Sequence, residues 1–453
     1  MEQAYVADSS AAVSAGPDDK QAFKATISAF LGFFVDMFDV FLPVIALAPA
    51  MIYFRPADMS KELDVLFGSL ILAATLIGRP LGSVIFGYLS DRVGRHPITI
   101  LSIIGFGTCT LLIGILPGQE ILGVYSMALL VFLRLIGGIF LGGEYTAANV
   151  LAMEAAPKQK RGLYSGIIQS GYPVAYLSIT ALTLLMLYWF PADGTLDSPY
   201  VKYGWRISFI IGGLIAFFVV IPYRRNVDES KLWQVERKEG SGHETHNPII
   251  EVFTGRNLKR FGQVFLVLSG AWFLTVAAAA GMLPQILLTT VGLTSRQMVM
   301  SIMVASFFLI GGYLAAAVFS QYIGRRAMII LWAVISAVVG MGAYYMLLYG
   351  NNTYGEIILY VTLIILSFTS VFGVLVVYPN EIFPTNVRSS GFGMVFSIPV
   401  ILPSLYGVYV NLSKDIIGPN AMPFIFAGIG CVLMVVGAVI GPETKEVNLD
   451  EIV

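Results

Sequence analysis

Five ionisable side chains stand inside long apolar stretches of this sequence: Asp36, Asp39, Arg79, Arg134 and Glu144. At the centre of a membrane helix such a group costs about 2.5–3.5 kcal/mol even on the mildest scale, so it requires a partner or a function. Asp36 and Asp39 are three residues apart and share a helix face. Because two close carboxylates hinder each other's ionisation, the pair predicts a proton-binding site, with Asp39 as the preferred carrier.

The two arginines complete this chemistry. Arg134 or Arg79 is predicted to be the counter-ion of the proton-binding aspartate and a partner for an anionic substrate. Glu144 is a second candidate for proton coupling or gating. The alternative is a set of fixed Asp–Arg pairs that hold helices together without titrating.

Further substrate contacts are expected among polar and aromatic residues within the apolar stretches. Any of them can instead be an interface anchor or a packing residue. Gln169 and the Tyr172-Pro173 pair are preferred, because a proline frees a backbone carbonyl and broken helices line cavities. The candidates are Asn149, Gln169, Tyr172, Tyr176, Trp272, Gln285, Tyr378 and Asn380, together with Arg79 and Arg134.

The composition explains why these residues must be positioned by membrane helices. The 453 residues are 57% hydrophobic and 12% charged, against roughly 45–50% and about 25% in soluble domains. A net charge of −1 gives no basic surface for nucleic acid. The two cysteines and three histidines form no metal or nucleophile pattern, so we expect no enzyme activity, no metal and no cofactor beyond a proton gradient.

Apolar stretches of about 20 residues or more predict twelve transmembrane helices. Nineteen of the 27 lysines and arginines fall on the side that holds both termini, so that side is predicted to face the cytoplasm of a cell membrane. The predicted spans are 25–53, 64–88, 97–116, 123–153, 162–190, 205–222, 262–291, 298–320, 327–349, 357–380, 390–412 and 421–440.

An internal repeat divides the chain. The pattern Glu-x-x-Pro-x-x-x-Arg occurs at 154–161 and again at 381–388, and Gly94-Arg95 has a counterpart in Gly324-Arg325. Offsets of half the chain predict an all-α membrane protein with two pseudo-symmetric six-helix bundles and a substrate path between them. The expected organisation is a cytoplasmic tail at 1–22, bundles at 23–222 and 262–440, a cytoplasmic linker at 223–261 and a tail at 441–453. Since one chain holds both bundles, a monomer is expected.

The segment Gly87-Tyr88-Leu89-Ser90-Asp91-Arg92-Val93-Gly94-Arg95 resembles the G-x-L-x-D-R-x-G-R signature of the major facilitator superfamily. The preceding Arg79-Pro80-Leu81-Gly82, the helix 1 pattern Gly32-x-x-x-Asp36-x-x-Asp39 and the helix 4 run Gly142-Gly143-Glu144-Tyr145 are similar to its metabolite:proton symporter family. Helix 1 and helix 4 also resemble the sialate/lactate, aromatic-acid and phosphate branches. The sequence departs from the pattern at Asp36, where glutamate is usual, and at Gln321, where the second signature would have aspartate.

The resemblance implies a gate on the cytoplasmic side, in which the signature loop holds the two bundles together. Its residues here are Gly87, Asp91, Arg92, Gly94, Arg95, Glu154 and Arg161, with Gly324, Arg325, Glu381 and Arg388 as their counterparts in the second bundle. Ordinary turn charges that set the topology are the alternative.

Taken together, these patterns predict a secondary transporter that carries a small mono- or dicarboxylate with a proton by alternating access. Its partners are the organic anion, the proton and the lipid bilayer. The alternatives are a transporter of sugar, polyol, phosphate or a zwitterionic osmolyte, a uniporter without ion coupling, and a transporter-like nutrient sensor.

Overall fold

The computed structural model describes residues 19–55, 61–226, 248–413, 416–449 and 452, and these residues form long helices joined by short turns. The tail to residue 18 and most of the predicted linker, 227–247, lie outside the described residues. The first six long helices are α1 (Asp19–Leu47), α2 (Lys61–Val93), α3 (Arg95–Gly114), α4 (Tyr125–Ala155), α5 (Lys158–Trp189) and α6 (Tyr200–Arg224). The second six are α7 (Gly255–Thr289), α8 (Ser295–Ile323), α9 (Arg325–Tyr349), α10 (Tyr354–Asn380), α11 (Thr385–Ser413) and α12 (Met422–Ile440).

Eleven of these helices are long and apolar enough to cross a membrane among the described residues, and α2 is the remaining member of the twelve. Most ends differ from the predicted spans by a few residues. Helix α7 begins at Gly255, seven residues before the predicted span, because its first turns carry Arg256, Lys259 and Arg260 and extend beyond the apolar layer. Hydrophobicity predicts the part of a helix that lies in lipid, whereas the hydrogen-bonded helix can continue beyond that part.

The helices pack as two bundles, α1–α6 and α7–α12, as predicted from the repeat. Helices α2 and α3 both pack on α4 in the first bundle, and α7 packs on α12 and α8 on α10 in the second. The bundles meet where α2 packs on α11 and α5 packs on α8. Gly94 and Gly324 end α2 and α8 with φ of 122° and 100°, a region that disfavours side chains, so the repeat preserves the turn geometry.

Close contact between α2 and α4 depends on glycine. A Cβ atom at Gly138 would lie 2.3 Å from the carbonyl oxygen of Thr75, and one at Gly142 would lie 2.3 Å from that of Arg79. Such small-residue stripes let helix backbones approach closely in membranes. Both glycines therefore have a packing role. The contact also fixes the position of the α2 backbone at Arg79.

We predict that Gly142→Ala lowers the thermal unfolding temperature, because the added methyl group forces α2 away from α4. Gly137→Ala is the matched control on the same helix, since its methyl group would meet nothing nearer than Cys109 at 3.5 Å. The control should be neutral or slightly stabilising, as alanine favours helices by about 1 kcal/mol. Thermal unfolding in detergent measures both variants, and equal unfolding temperatures would contradict the packing argument.

Candidate functional site: a charged cluster beside a central cavity

The predicted charges of the first bundle form two separate ion pairs. Asp36 on α1 is buried, and its Oδ2 accepts a hydrogen bond from Nη2 of Arg79 on α2 at 2.5 Å. The guanidinium of Arg79 also lies 5.8 Å from the centre of the Tyr145 ring on α4. This pair therefore joins three helices at the depth of the glycine contacts.

The second pair lies farther along α1. Asp39 accepts a hydrogen bond from Nη1 of Arg134 on α4 at 2.9 Å, and Nη2 of Arg134 donates to the Asp39 carbonyl at the same distance. The other carboxylate oxygen accepts from the hydroxyl of Thr110 on α3. The Asp39 carboxylate thus accepts two hydrogen bonds and its backbone carbonyl a third, so Asp39 is well satisfied within the bundle.

Glu144 is the third buried carboxyl group of this cluster. A Cβ atom at Gly32 would lie 1.9 Å from its Oε1, so the glycine makes room for the carboxyl group. Neither of its oxygens has a hydrogen-bond donor among the described residues. Its charged neighbours are Arg224, Asp36 and Arg79.

Arg224 corrects one feature of the sequence interpretation, which placed it in the polar segment after the sixth span. It is fully buried at the end of α6 and donates to the hydroxyl groups of Ser28 on α1 and Thr99 on α3, at 2.7 and 3.1 Å. Helix α1 thus presents three polar side chains, Ser28, Asp36 and Asp39, to a charged column, and Gly32 makes room in it for Glu144.

A cavity opens between the two bundles beside the Asp36–Arg79 pair. Its space, counting the part open to solvent, is about 840 Å³. Arg79 is the one charged side chain that lines it among the described residues. From the first bundle it is lined by Phe33, Met37, Val40, Phe41, Val44, Leu76, Gln169 and Tyr172, and from the second by Trp272, Thr275, Val276, Ala280, Gly281, Tyr313, Phe372, Phe396, Ser397 and Val400.

The structure brings some predicted substrate residues to this cavity and leaves others elsewhere. Arg79, Gln169, Tyr172 and Trp272 line it, and Tyr176 lines a smaller adjoining cavity that Tyr172 shares. The remaining candidates lie outside both cavities. Asn149 and Asn380 donate to backbone carbonyls of their own helices, Gln285 is exposed, Tyr378 bonds to Gln263 and Pro442, and Arg134 pairs with Asp39.

The predicted gate residues meet at the side of the molecule where α1 begins and α12 ends, which we call the terminal side. Arg388 of the second bundle donates to Glu154 of the first at 2.8 Å, and Arg161 of the first lies 3.9 Å from Glu381 of the second. Each glutamate also pairs within its own bundle, Glu154 with Arg95 at 3.3 Å and Glu381 with Arg325 at 3.2 Å. The two halves of this network are related by the sequence repeat.

Asp91 adds a contact that the second bundle does not duplicate. Its Oδ2 accepts hydrogen bonds from the backbone and hydroxyl of Ser390 on α11, at 2.9 and 2.6 Å. Gly87, one turn earlier, allows the close approach, since a Cβ there would lie 3.2 Å from the Ser390 Cα. At the equivalent place Gln321 packs against Gly162. Arg92 is exposed and lies over the Tyr88 ring, 4.5 Å from its centre.

The network closes the terminal side in this conformation. Glu381 and Arg325 are both buried, and burial raises the pKa of Glu381 while the Arg325 charge opposes that rise. Removing one partner of a buried ion pair costs about 3–5 kcal/mol, because it leaves an uncompensated charge. The two bundles therefore separate here only if these glutamates acquire other partners or water.

Several cavity residues were missed by the sequence interpretation. Phe33, Phe41, Tyr313, Phe372 and Phe396 are aromatic, and aromatic residues are common on lipid-facing surfaces as well. A usable signal existed for Phe33, which adjoins Gly32 in the helix 1 motif. For the other aromatic residues, the rotation of the helix decides whether the side chain faces the cavity or the lipid. The sequence does not show this rotation, because these spans are apolar on every side.

Twelve membrane helices in two repeated bundles, with a cavity between them and an ion-pair network on one side, form the architecture of many membrane transporters. The family model of the Major Facilitator Superfamily matches residues 29–405, and the chain belongs to that family. As members of this family are transporters, the chain is not an enzyme, as predicted.

Individual relatives agree with this membership. The chain is 32% identical to the shikimate transporter of Escherichia coli over 53% of its own length and about half (54%) of that protein's. It is 28% identical to a probable 4-methylmuconolactone transporter of Cupriavidus pinatubonensis, covering 96% and 93% of the two chains. The solved proton:xylose symporter XylE shares its fold, with a TM-score of 0.75 at 19% identity over 96% and 98% of the chains.

We predict that Asp39→Asn is more destabilising than the double variant Asp39→Asn with Arg134→Gln. The single change leaves Arg134 charged and buried with one partner removed, which costs about 3–5 kcal/mol, whereas the double change removes both charges. Thermal unfolding in detergent provides the comparison. Additive effects of the two substitutions would show that the pair does not stabilise the bundle as a unit.

We predict that Glu154→Gln with Glu381→Gln opens the terminal side. The reporter is Ser165→Cys in a background without Cys109 and Cys431, since the Ser165 hydroxyl bonds to the Gly373 carbonyl across the interface. Labelling by a hydrophilic maleimide should become several-fold faster. Lys259→Gln is the control, because that side chain is exposed and lies outside the predicted gate, and it should leave the rate unchanged. Equal rates in all three proteins would contradict the assignment of the gate.

Proposed function

We propose that this protein is a proton-coupled symporter of a small organic anion that works by alternating access. The observation that carries the proposal is the Asp36–Arg79 ion pair at the wall of the central cavity. Arg79 is the cation that an anion in the cavity would meet, and Asp36 is the carboxylate that holds this cation when the cavity is empty.

The pair supplies a mechanism for coupling. While Asp36 is ionised, its charge competes with an incoming carboxylate for Arg79. A proton that neutralises Asp36 frees the guanidinium, which then binds the substrate carboxylate through charge-assisted hydrogen bonds. The loaded site contains one cation, one anion and one neutral acid, so no net charge has to be buried when the bundles rock.

The return of the empty carrier depends on the same two charged groups. After the substrate leaves towards the cytoplasm, Arg79 would be a buried charge without a partner, which is costly. Loss of the proton from Asp36 restores the ion pair and permits the return movement. This cycle carries one proton with each monocarboxylate.

Asp36 replaces Asp39 as our preferred proton carrier. Both remain candidates from the sequence, but Arg134 and Thr110 together satisfy Asp39 away from the cavity lining, whereas the partner of Asp36 lines the cavity. We assign Asp39 and Arg134 to the support of α1 on α4. An aspartate beside the substrate site can couple the two ligands directly.

Glu144 is proposed as a second proton-binding group on the terminal side of Asp36. An ionised carboxylate buried without a donor costs several kcal/mol, so we propose that Glu144 carries a proton in this conformation. The buried charge of Arg224 lies among its neighbours. Asp36, Glu144 and Arg224 then mark a proton route along α1.

The proposed orientation places the terminal side in the cytoplasm of a cell membrane, with the protein acting as a monomer. The excess of Lys and Arg on that side supports the orientation. The conformation described here is then closed to the cytoplasm. The names of the shikimate and 4-methylmuconolactone transporters support an organic acid as cargo, although the XylE likeness concerns the fold alone.

We predict that Asp36→Asn in proteoliposomes abolishes accumulation driven by an inward proton gradient but retains exchange of internal for external carboxylate. The amide imitates the neutral acid, so Arg79 can still bind and exchange the anion, whereas net cycling is lost. Arg79→Gln should abolish both activities. Uptake of labelled carboxylates measures these effects, with protein-free liposomes correcting for passive entry.

The matched control is Asp197→Asn, which removes a carboxylate from an exposed loop pair with Lys202. It should transport as the native chain does. Full gradient-driven uptake by Asp36→Asn would exclude Asp36 as the coupling group. Uptake of sugar or phosphate without any carboxylate transport would overturn the substrate class.

A further inference from the structure

The residues of the cavity wall restrict the class of substrate more closely than the proposed function does. This inference rests on that proposed function. We propose that the substrate is a monocarboxylate whose carboxyl group is attached to a flat, apolar ring. The carboxylate binds Arg79, and the ring lies between the aromatic wall of the second bundle and the apolar face of α1.

The number of charges limits the substrate to one carboxylate. Arg79 is the single charged residue among the described residues that line the cavity. A dicarboxylate would bring a second anion into a wall that offers it no cation, and a desolvated anion without a partner binds poorly. The same lining contains no Asp or Glu, so the cation of a zwitterion would also be without a countercharge.

The shape of the aromatic wall argues for a ring and against a quaternary ammonium group. Trp272 lies with its ring centre 4.6 Å from that of Phe372 and 5.3 Å from that of Phe396, and the latter two are 6.0 Å apart. Rings this close fill the space between one another, so they do not enclose a cage for a cation. They present edges and one continuous apolar surface, against which a flat ring packs well.

Met37 and Phe41 on α1 also line the cavity and provide its apolar surface in the first bundle. They belong to the same helix as Asp36, the partner of Arg79. A molecule that binds Arg79 with its carboxylate therefore has apolar side chains of both bundles around the rest of it.

The polar groups of the wall are too few for a polyol. The Trp272 N–H donates to the Phe396 carbonyl and the Thr275 hydroxyl donates to the Phe368 carbonyl, so both donors are occupied. Gln169 donates to Tyr145. A sugar would leave several hydroxyl groups unpaired, and each unpaired buried hydroxyl lowers affinity by roughly tenfold or more. The hydroxyls of Tyr172, Tyr313 and Ser397 are the remaining hydroxyl groups of the lining, and one of them can accommodate a single polar substituent on the ring.

The test measures binding of radiolabelled 4-hydroxybenzoate to the full-length protein in detergent at pH 7.5, with competition by succinate, glycine betaine and xylose. Unlabelled benzoate is the reference competitor. We expect saturable binding of the label, and succinate, glycine betaine and xylose should each displace it at least tenfold less effectively than benzoate does. Trp272→Leu should weaken binding about tenfold, Trp272→Phe should restore most of it, and Trp332→Leu should leave it unchanged. Trp332 is the matched control because it lies on α9, outside the cavity lining.

The outcomes separate this inference from the proposed function. Succinate binding more tightly than benzoate, with Arg79-dependent and proton-driven uptake, would overturn the ring monocarboxylate while leaving the symporter intact. Tighter binding of betaine or xylose than of any carboxylate would overturn both. Equal loss of binding in Trp272→Leu and Trp332→Leu would show that the aromatic wall does not contact the ring.

Discussion

Charge neutrality inside the membrane is the constraint on which this structure depends. Asp36 and Arg79 can remain buried because each is the partner of the other, at 2.5 Å. In the proposed mechanism, neither changes its state without a replacement, and the two replacements are a proton for Asp36 and an anion for Arg79. Proton and substrate would then be linked by electrostatics before any movement of the bundles.

Other contacts of the fold hold the Asp36–Arg79 pair in place and close one side of the cavity. The glycine contacts of α2 with α4 hold the Arg79 backbone in place, and the Asp39–Arg134 pair anchors α1 to the same helix. The gate on the terminal side closes one route to the cavity through buried glutamates that pair across the bundles. The repeat explains why the gate is nearly symmetric, while the charged column belongs to the first bundle alone among the described residues.

Much of this architecture was predictable from the sequence, because bilayer thickness and backbone hydrogen bonding leave few choices for an apolar chain. The ion-pair network on the terminal side was also predictable, since Glu154 and Glu381 recur in the same pattern beside turns that require glycine. The preference for Asp36 over Asp39 as the proposed proton carrier could not be predicted from the sequence, because it depends on the rotation of α1 against α2 and α4. Arg224 was missed since it adjoins Arg225 at the end of a span, and burial of such a residue is decided by packing. Gln285 is the opposite case: it was predicted to contact the substrate, but it is exposed, because a polar residue within a span need not face the cavity.

In the proposed mechanism, carboxylate binding and protonation of Asp36 occur together. The most direct measurement is the number of protons taken up when a bound carboxylate saturates the purified protein in weakly buffered detergent solution, followed with a pH indicator. We expect an uptake of about one proton per bound carboxylate in the native chain and none in Asp36→Asn, because the amide needs no proton to release Arg79. Binding without proton uptake in the native chain, or the same uptake in both proteins, would contradict it.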